Sequence, residues 1–291
     1  MILITGASGK TGRAITRALN GTGESIRALV HHAAYIPTLD TAGAGEVMVG
    51  DLESRSDLEK ACRGVRAVYH ICPNMHPREL EIAQAMLAAS RQAGIERFVF
   101  HSVFHPQIEA MPHHWNKMRA EELIFTSGLP FTVLQPCAYM QNVLGYWGQI
   151  TSQGIYPVPY SVDARLSVVD LEDVAEVAAK VLVEKGHTGA IYELCGPEAL
   201  SQVEVADRLS RELRKEVRAV ALDLREWEEG ARKGGMSDYS RQTLIKMFEY
   251  YDRFGLQGNP TMLGWLLQRQ PTSFAEFIDR ECVQGKAASP K

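Results

Sequence analysis

The first dozen residues constrain this chain more than any other stretch. Ile2-Leu3-Ile4 is an apolar run of strand length that enters Thr5-Gly6-Ala7-Ser8-Gly9-Lys10-Thr11-Gly12, with glycines three apart. Arg13-Ala14-Ile15-Thr16-Arg17-Ala18-Leu19 follows with helical periodicity. The order is strand, tight turn, helix. In that context one glycine makes the turn, one lets backbone N–H groups approach a pyrophosphate, and one lets helix and strand pack closely. The helix N-terminus offers unpaired donors and the positive end of its dipole to the phosphates. The alternative is an ordinary glycine-rich turn.

Gly9-Lys10-Thr11 also resembles the end of a Walker A loop, which needs a glycine five residues before its last one. Ile4 stands there, inside the strand. The loop is too short to wrap a nucleoside triphosphate, which sets aside a kinase or ATPase.

The strand and helix signals then alternate. Ser25–Val30, Glu46–Val49, Ala67–Cys72, Arg97–Ser102 and Phe131–Pro136 read as strands. Helices are expected over 56–62, with a Ser56 N-cap and a capping box, over 78–93 with Gly94 as C-cap, and over 112–125. Alternation of this kind implies parallel strands joined by right-handed crossovers. Ser167–Val169, a helix capped by Asp170 and running to Val183, and Ala190–Cys195 complete the sheet. Beyond Gly196-Pro197 the signals give a helix over 201–214, a strand over 217–222 and helices near 224–232 and 237–254. The expected fold is α/β: a Rossmann-type doubly wound parallel sheet over 1–195, and a small C-terminal α/β substrate lobe over 196–284. Residues 137–165 would contribute to the substrate pocket, and 285–291 would be a disordered tail.

With 31 basic and 35 acidic residues, the chain has a formal charge of −4 and no basic cluster, so no nucleic-acid partner is expected. No apolar run approaches the ~20 residues of a membrane span. The first strand starts at residue 2 without a basic leader region, so no signal peptide is expected. Cys62, Cys72, Cys137, Cys195 and Cys282 show no metal-ligand spacing. Each lies in or beside an apolar run, which suggests reduced thiols, a cytoplasmic location and no metal.

The end of the second strand bears on the cofactor. An acid some 20 residues past the glycines would meet the ribose 2′-hydroxyl of NAD, whereas a basic residue suits the 2′-phosphate of NADP. His31-His32 stands there without an acid, which favours NADP and leaves NAD possible; two solvated loop histidines are the alternative. In an open α/β sheet ligands bind beyond the carboxyl ends of the strands, so Cys72-Pro73-Asn74 and Ser102-Val103-Phe104-His105 should border the cofactor. The segment 137–154, with Tyr139, Gln141, Asn142, Tyr146, Trp147 and Gln149, has the composition of a wall for an apolar or aromatic ligand. Phe104, Tyr139, Asn142 and Trp147 are the candidate pocket residues, and simple core packing is the alternative for each aromatic.

Taken together, Thr5 to Gly12, Gly50-Asp51-Leu52, Gly94 to Val99, Lys117 with Glu121, Leu134 to Asn142, and Val169 to Ala175 resemble the NmrA-like branch of the short-chain dehydrogenase/reductase superfamily, which includes isoflavone-reductase-like and quinone-reductase-like enzymes. The resemblance implies NADP held by Gly6, Ser8, Gly9, Lys10, Thr11 and Gly12 at the pyrophosphate. It implies Asp51 and Leu52 at the adenine and Lys117 at the nicotinamide ribose, while His31 stands where the family usually has arginine. The superfamily's Tyr-x-x-x-Lys reads here His113-His114-Trp115-Asn116-Lys117, without the tyrosine.

Lys117 lies one helical turn beyond His113, so both can face one pocket. A lysine there can orient the cofactor, and His113 or His114 can donate a proton, since free imidazole titrates near neutrality. Helix capping and solvation of the two histidines is the alternative. Quinones, enones, imines and activated C=C bonds demand less proton donation than a ketone, so they suit a site lacking the tyrosine. Two functions follow: an NADPH-dependent reductase of an apolar conjugated acceptor, or a non-catalytic NADP(H) sensor acting through protein partners.

Overall fold

The computed structural model describes residues 1–283; the expected tail over 285–291 and the last residue of the expected lobe lie outside them. The elements in chain order are β1 (Ile2–Ile4), α1 (Lys10–Leu19), β2 (Ile26–Val30), α2 (Ile36–Ala42), β3 (Glu46–Val49), α3 (Arg55–Cys62), β4 (Ala67–His70), α4 (Glu79–Ala93) and β5 (Arg97–His101). Then come α5 (Pro112–Phe125), β6 (Phe131–Pro136), β7 (Ala138–Tyr139), α6 (Trp147–Gln153), β8 (Ile155–Val158), β9 (Leu166–Val169), α7 (Leu171–Val183) and β10 (Ala190–Leu194). The last are β11 (Ala199–Leu200), α8 (Gln202–Leu213), β12 (Arg218–Ala221), α9 (Leu224–Lys233), α10 (Asp238–Phe254), α11 (Thr261–Leu267) and α12 (Phe274–Val283).

Seven strands form one sheet in the order β10-β6-β5-β4-β1-β2-β3. β1 runs parallel to both neighbours, with Ile2 opposite Ile26 on β2 and Ala67 on β4. The pairs β2–β3, β4–β5 and β5–β6 are also parallel. The chain adds strands outward from β1 in one direction and from β4 in the other, so the order reverses between β1 and β4. This is the doubly wound Rossmann arrangement, with its switch point at those two strands. Ile2, Leu3 and Ile4 are all fully buried, as expected for a strand covered on both faces.

Several local details differ from the sequence expectations. α2 was not foreseen: only Leu39 and Ala42 of its seven residues are buried, so it presents almost no apolar period to read. α3 begins earlier than expected, because Ser54 rather than Ser56 is the N-cap and accepts from the Asp57 N–H. Asp57 therefore holds the third helical position, and the capping box expected around Ser56 does not form. Gly94 does end α4, at φ 66°, a left-handed position that favours glycine.

The residues divide into two compact units. The first comprises Met1–Glu109, His113–Gln135 and Val174–Tyr192; the second comprises Ala110–Pro112, Pro136–Asp173 and the chain from Glu193 onward. The sequence places one boundary at 195, whereas here 136–173 groups with the later chain. Strand pairing gives the reason. β9 pairs with β7 in parallel and with β11 in antiparallel, and β8 pairs with β12. These strands thus build small sheets of their own within the second unit.

The second unit has its own core of Met140, Val143, Ile150, Leu209, Phe274, Phe277 and Ile278, among others. Its buried carboxylates explain the Val169-to-Ala175 motif. Asp170 takes both guanidinium nitrogens of Arg280 and an amide proton of Gln141, and its Oδ1 also accepts the Glu172 N–H at the start of α7. Asp173 accepts from Arg269 and from both the N–H and hydroxyl of Thr272. Neither α11 nor α12, which supply these partners and core residues, was anticipated.

Candidate functional site

The glycine loop sits between β1 and α1, at the switch point. Its glycines have different reasons to be glycine. Gly6 has φ +58°, and a Cβ there would lie 3.1 Å from Ile71. A Cβ on Gly12 would lie 2.5 Å from both Ala7 Cα and Gly6 O, a clash with backbone that fixes how closely α1 approaches the turn. Gly9 is different: its φ is −70°, and a Cβ would meet only Gly6 O, at 3.3 Å. That contact is tight but much milder than the clash at Gly12. Gly9 is also the N-cap of α1, which has no side-chain cap and no acid in its first turn. That end of the helix can receive an anion. Lys10 is exposed beside it, and Ser8 and Thr11 are half-buried.

Thr5 closes the floor of the crevice by joining β1 to β4. Its hydroxyl donates to Ile71 O at 2.9 Å and accepts the Ile71 N–H at 2.8 Å. With that proton committed, His70 Nδ1, 3.0 Å away, is the donor to Thr5 Oγ1. His70 Nε2 is then an unprotonated acceptor, buried and without a hydrogen-bond partner among the described residues. Burial pushes the His70 pKa down to about 3, and the charge of Lys117 adds to the effect.

Lys117 is the centre of the second cluster. Projecting from α5, it is only 4% exposed. Its Nζ lies 2.6 Å from Glu79 Oε1 on α4, donates to His101 O at 3.0 Å, and sits 4.9 Å from the Phe100 ring centroid. One turn further along α5, Glu121 accepts the Ser102 hydroxyl and the amide of Gln135. Burial raises the Glu121 pKa above the usual carboxylate range, against the opposing pull of those donors and Lys117. Ser102 thus spends its proton inside the protein.

The histidines behave differently from free imidazole. His101 shares a 2.7 Å hydrogen bond with the Tyr69 hydroxyl, and burial with the Lys117 charge lowers it to about 3. Burial lowers His113 well below its ordinary value, with Lys117 and His114 adding to the shift, and lowers His114 to about 4. Titration of His113 or His114 near neutrality, as the sequence suggests, is therefore corrected: both are buried neutral. His113 Nδ1 is 3.8 Å from Glu79 Oε2, beyond hydrogen-bond range. The loops after β4 and β5 carry non-glycine residues at positive φ, Met75 at 51° and His105 at 50°. Such backbone strain gathers where a structure holds functional groups.

The other sequence candidates fall as follows. His31 and His32 are exposed just after β2, with ring centroids 4.4 Å apart, edge to face. Asp51 Oδ1 accepts the Glu53 N–H, and Leu52 packs on the core of the first unit. Cys72 is buried, and burial drives its thiol pKa upward. Phe104, also in the first unit, is buried and stacked on His105 at 3.6 Å. Tyr139, Asn142 and Trp147 belong to the second unit. Trp147 packs against that unit's core, Tyr139 is half-buried in β7 and Asn142 is exposed.

Glu79 is the member of this cluster that sequence reasoning misses. An acid in the first turn of a helix usually reads as a solvated partner of the helix dipole. Its burial follows from pairing with a residue 38 positions away, which no local pattern encodes. Glu121, by contrast, is already paired with Lys117 among the residues that carry the family resemblance.

The chain is 29% identical over 293 residues to NAD(P)H azoreductase of Xenophilus azovorans, covering 99% of this chain and 100% of that one. It is 32% identical over 240 residues to (4-alkanoyl-5-oxo-2,5-dihydrofuran-3-yl)methyl phosphate reductase of Streptomyces griseus subsp. griseus, covering 82% of each. The structure of NADPH-dependent quinone oxidoreductase QOR2 complexed with NADPH, from Escherichia coli, superposes with a TM-score of 0.84 at 23% identity, over 96% of this chain and 99% of that one. The model of the NmrA-like family matches residues 1–283, so the chain belongs to the NmrA-like family.

Proposed function

We propose that this protein is an NAD(P)H-dependent oxidoreductase of the NmrA-like type that reduces a small acceptor. The observation that carries the reading is the glycine loop. Gly6 and Gly12 are required by the protein's own backbone and packing, whereas Gly9, at an ordinary φ and with one milder contact to Gly6 O, is the N-cap of a helix that has no side-chain cap. A pyrophosphate fits a glycine turn that leads into such a helix N-terminus. The names of the azoreductase and the furanyl-methyl phosphate reductase support the reaction class.

In this reading Gly9 and the first amides of α1, with Ser8, Lys10 and Thr11, hold the pyrophosphate. His31 faces the 2′-phosphate of NADP, and Asp51 and Leu52 border the adenine. Cys72, Ser102 and Lys117 line the nicotinamide end. When bound, NADPH supplies the hydride. Lys117 orients the nicotinamide ribose, and Phe104, in the same unit, borders the acceptor.

The acceptor class follows from what the residues of this cluster cannot do. Histidine, not tyrosine, stands four residues before Lys117, burial lowers the pKa of His113 and His114, the Tyr69 hydroxyl is engaged by His101, and the Ser102 proton is committed to Glu121. A ketone needs a proton as its oxygen gains charge, so it is a poor match. Quinones, enones, imines and activated C=C bonds stabilise the added electron pair by conjugation, so they match a site with weak proton donors.

The experiment follows NADPH absorbance with a p-quinone, an enone, an iminium ion, an azo dye and an unactivated ketone. Oxidation by conjugated acceptors and not by the ketone is expected. NADPH binding with no turnover across the panel would replace the reductase with the sensor.

A further inference from the structure

We propose that Glu79 is a positioning residue, whose carboxylate keeps Lys117 charged and fixed so that one ammonium N–H is held ready for a bound ligand. The kinetic part of this proposal rests on the reductase reading; the charge of Lys117 can be tested without it.

The groups around Lys117 come from four elements. α4 contributes Glu79; β5 contributes the His101 carbonyl, the His101 ring and the Phe100 face; β4 contributes His70, with Cys72 just beyond it; α5 contributes His113 and Glu121. Of the two acids, Glu121 has its oxygens occupied by Ser102 and Gln135. Glu79 is therefore the direct counter-ion, at 2.6 Å and 1% exposure. The histidines are neutral and supply no negative charge.

The pair is not the arrangement expected of a purely structural bridge. Neither Glu79 oxygen makes an aligned hydrogen bond among the described residues, so the contact is held by charge. A buried carboxylate left in this condition is costly, and a buried ion pair often contributes little net stability over an apolar packing. Its position in the first turn of α4 offsets part of that cost, because the helix dipole favours an anion there. An ammonium has three donors. Among the described residues Lys117 gives one to His101 O and directs its charge at Glu79, which leaves a donor for a ligand hydroxyl. Without Glu79, the buried ammonium keeps no counter-ion in direct contact.

The test compares wild type, Glu79→Gln and Glu79→Asp. For each we would measure kcat and KM for a p-quinone across pH 6–9, the NADPH dissociation constant by fluorescence, and the melting temperature. Glu79→Gln should lower kcat at alkaline pH by roughly 10- to 100-fold, as a misplaced reacting group does, and regain activity as pH falls. Its NADPH affinity should stay within a few-fold of wild type. Glu79→Asp keeps the charge but withdraws it by one methylene, so kcat should fall with no new alkaline limb. It also stands in if Glu79→Gln does not fold. A kcat–pH profile unchanged in Glu79→Gln, or a full-rate Glu79→Asp where the Gln variant is unfolded, would overturn the proposal. If wild type turns over no acceptor, the reductase reading fails, and ¹³Cε-lysine NMR decides this one. The Lys117 resonance, assigned with Lys117→Arg, should report loss of the proton at lower pH in Glu79→Gln than in wild type; coincident titrations would overturn it.

Discussion

Ser102, at the carboxyl end of β5, donates its hydroxyl proton to Glu121 Oε1 on α5, and both side chains are almost fully buried. This hydrogen bond ties the strand end to the helix that carries Lys117. It also takes from Ser102 the proton that the residue would need as a donor. The Gln135 amide completes the carboxylate's shell from β6, so three elements meet on one acid.

The same acid gives a stability test. Burial raises the Glu121 pKa in the folded protein above the ordinary value of 4.5. The unfolded chain therefore releases this proton first as pH rises. Stability from Glu121 is fully present below about 4.5 and falls as pH climbs toward the folded pKa, because the unfolded state then binds fewer protons. Glu121→Gln cannot titrate, so it should lack that fall. Plotted against pH from 4 to 8, the melting temperature of the variant minus that of wild type should rise. A flat difference would show that Glu121 ionises in the fold as easily as in solution.

The glycine loop separates binding from folding. Gly12→Ala forces a Cβ against the backbone at Ala7 and Gly6, and overpacking of this kind costs about 1–3 kcal/mol. At Gly9 a Cβ would press on one carbonyl, Gly6 O, at 3.3 Å, a milder conflict than at Gly12, and the φ of −70° is ordinary for any residue. The expected result is a lowered melting temperature for Gly12→Ala. For Gly9→Val, a near-native melting temperature should accompany loss of NADPH binding by calorimetry. Intact binding by Gly9→Val would remove the pyrophosphate from this loop.

The parts of the fold that could be read from sequence are those in which one local pattern has one structural outcome. β1, with its three buried residues, and the α1 turn are of this kind, and so are α5 and Gly94 at the end of α4. The Ser54 cap was misplaced by two residues because Ser54 and Ser56 are equally good caps to the eye. In the fold the Ser54 side chain accepts the Asp57 N–H, after a turn in which Asp51 Oδ1 accepts the Glu53 N–H. The second unit was harder, since its strand pairs join distant segments: Arg218 opposite Ile155, and Ala199 opposite Ser167. In the site, Lys117 is marked by the family resemblance, while Glu79 and the neutral state of the histidines arise only from burial. Charge and tautomer are properties of the packed interior, and a sequence displays neither.

His31 supplies the last prediction, on cofactor choice. It follows β2 directly, is exposed, and meets His32 edge to face, with the Tyr35 ring 6.5 Å from His32. The whole segment from His31 to Leu39 carries no acid. A carboxylate at this place would accept from a ribose 2′-hydroxyl and repel a 2′-phosphate. An imidazole pair can instead donate N–H groups to the phosphate. His31→Asp should therefore weaken NADPH binding by ~10-fold or more, equivalent to about 1.4 kcal/mol, and leave NADH affinity level or improved. Exposure makes the substitution gentle on the fold, so melting temperatures should match. The measurement is a pair of fluorescence titrations, NADPH and NADH, on each protein. Equal weakening toward both cofactors would mean that His31 does not distinguish the 2′-phosphate, and the basis of NADP preference would have to be sought at Lys10 instead.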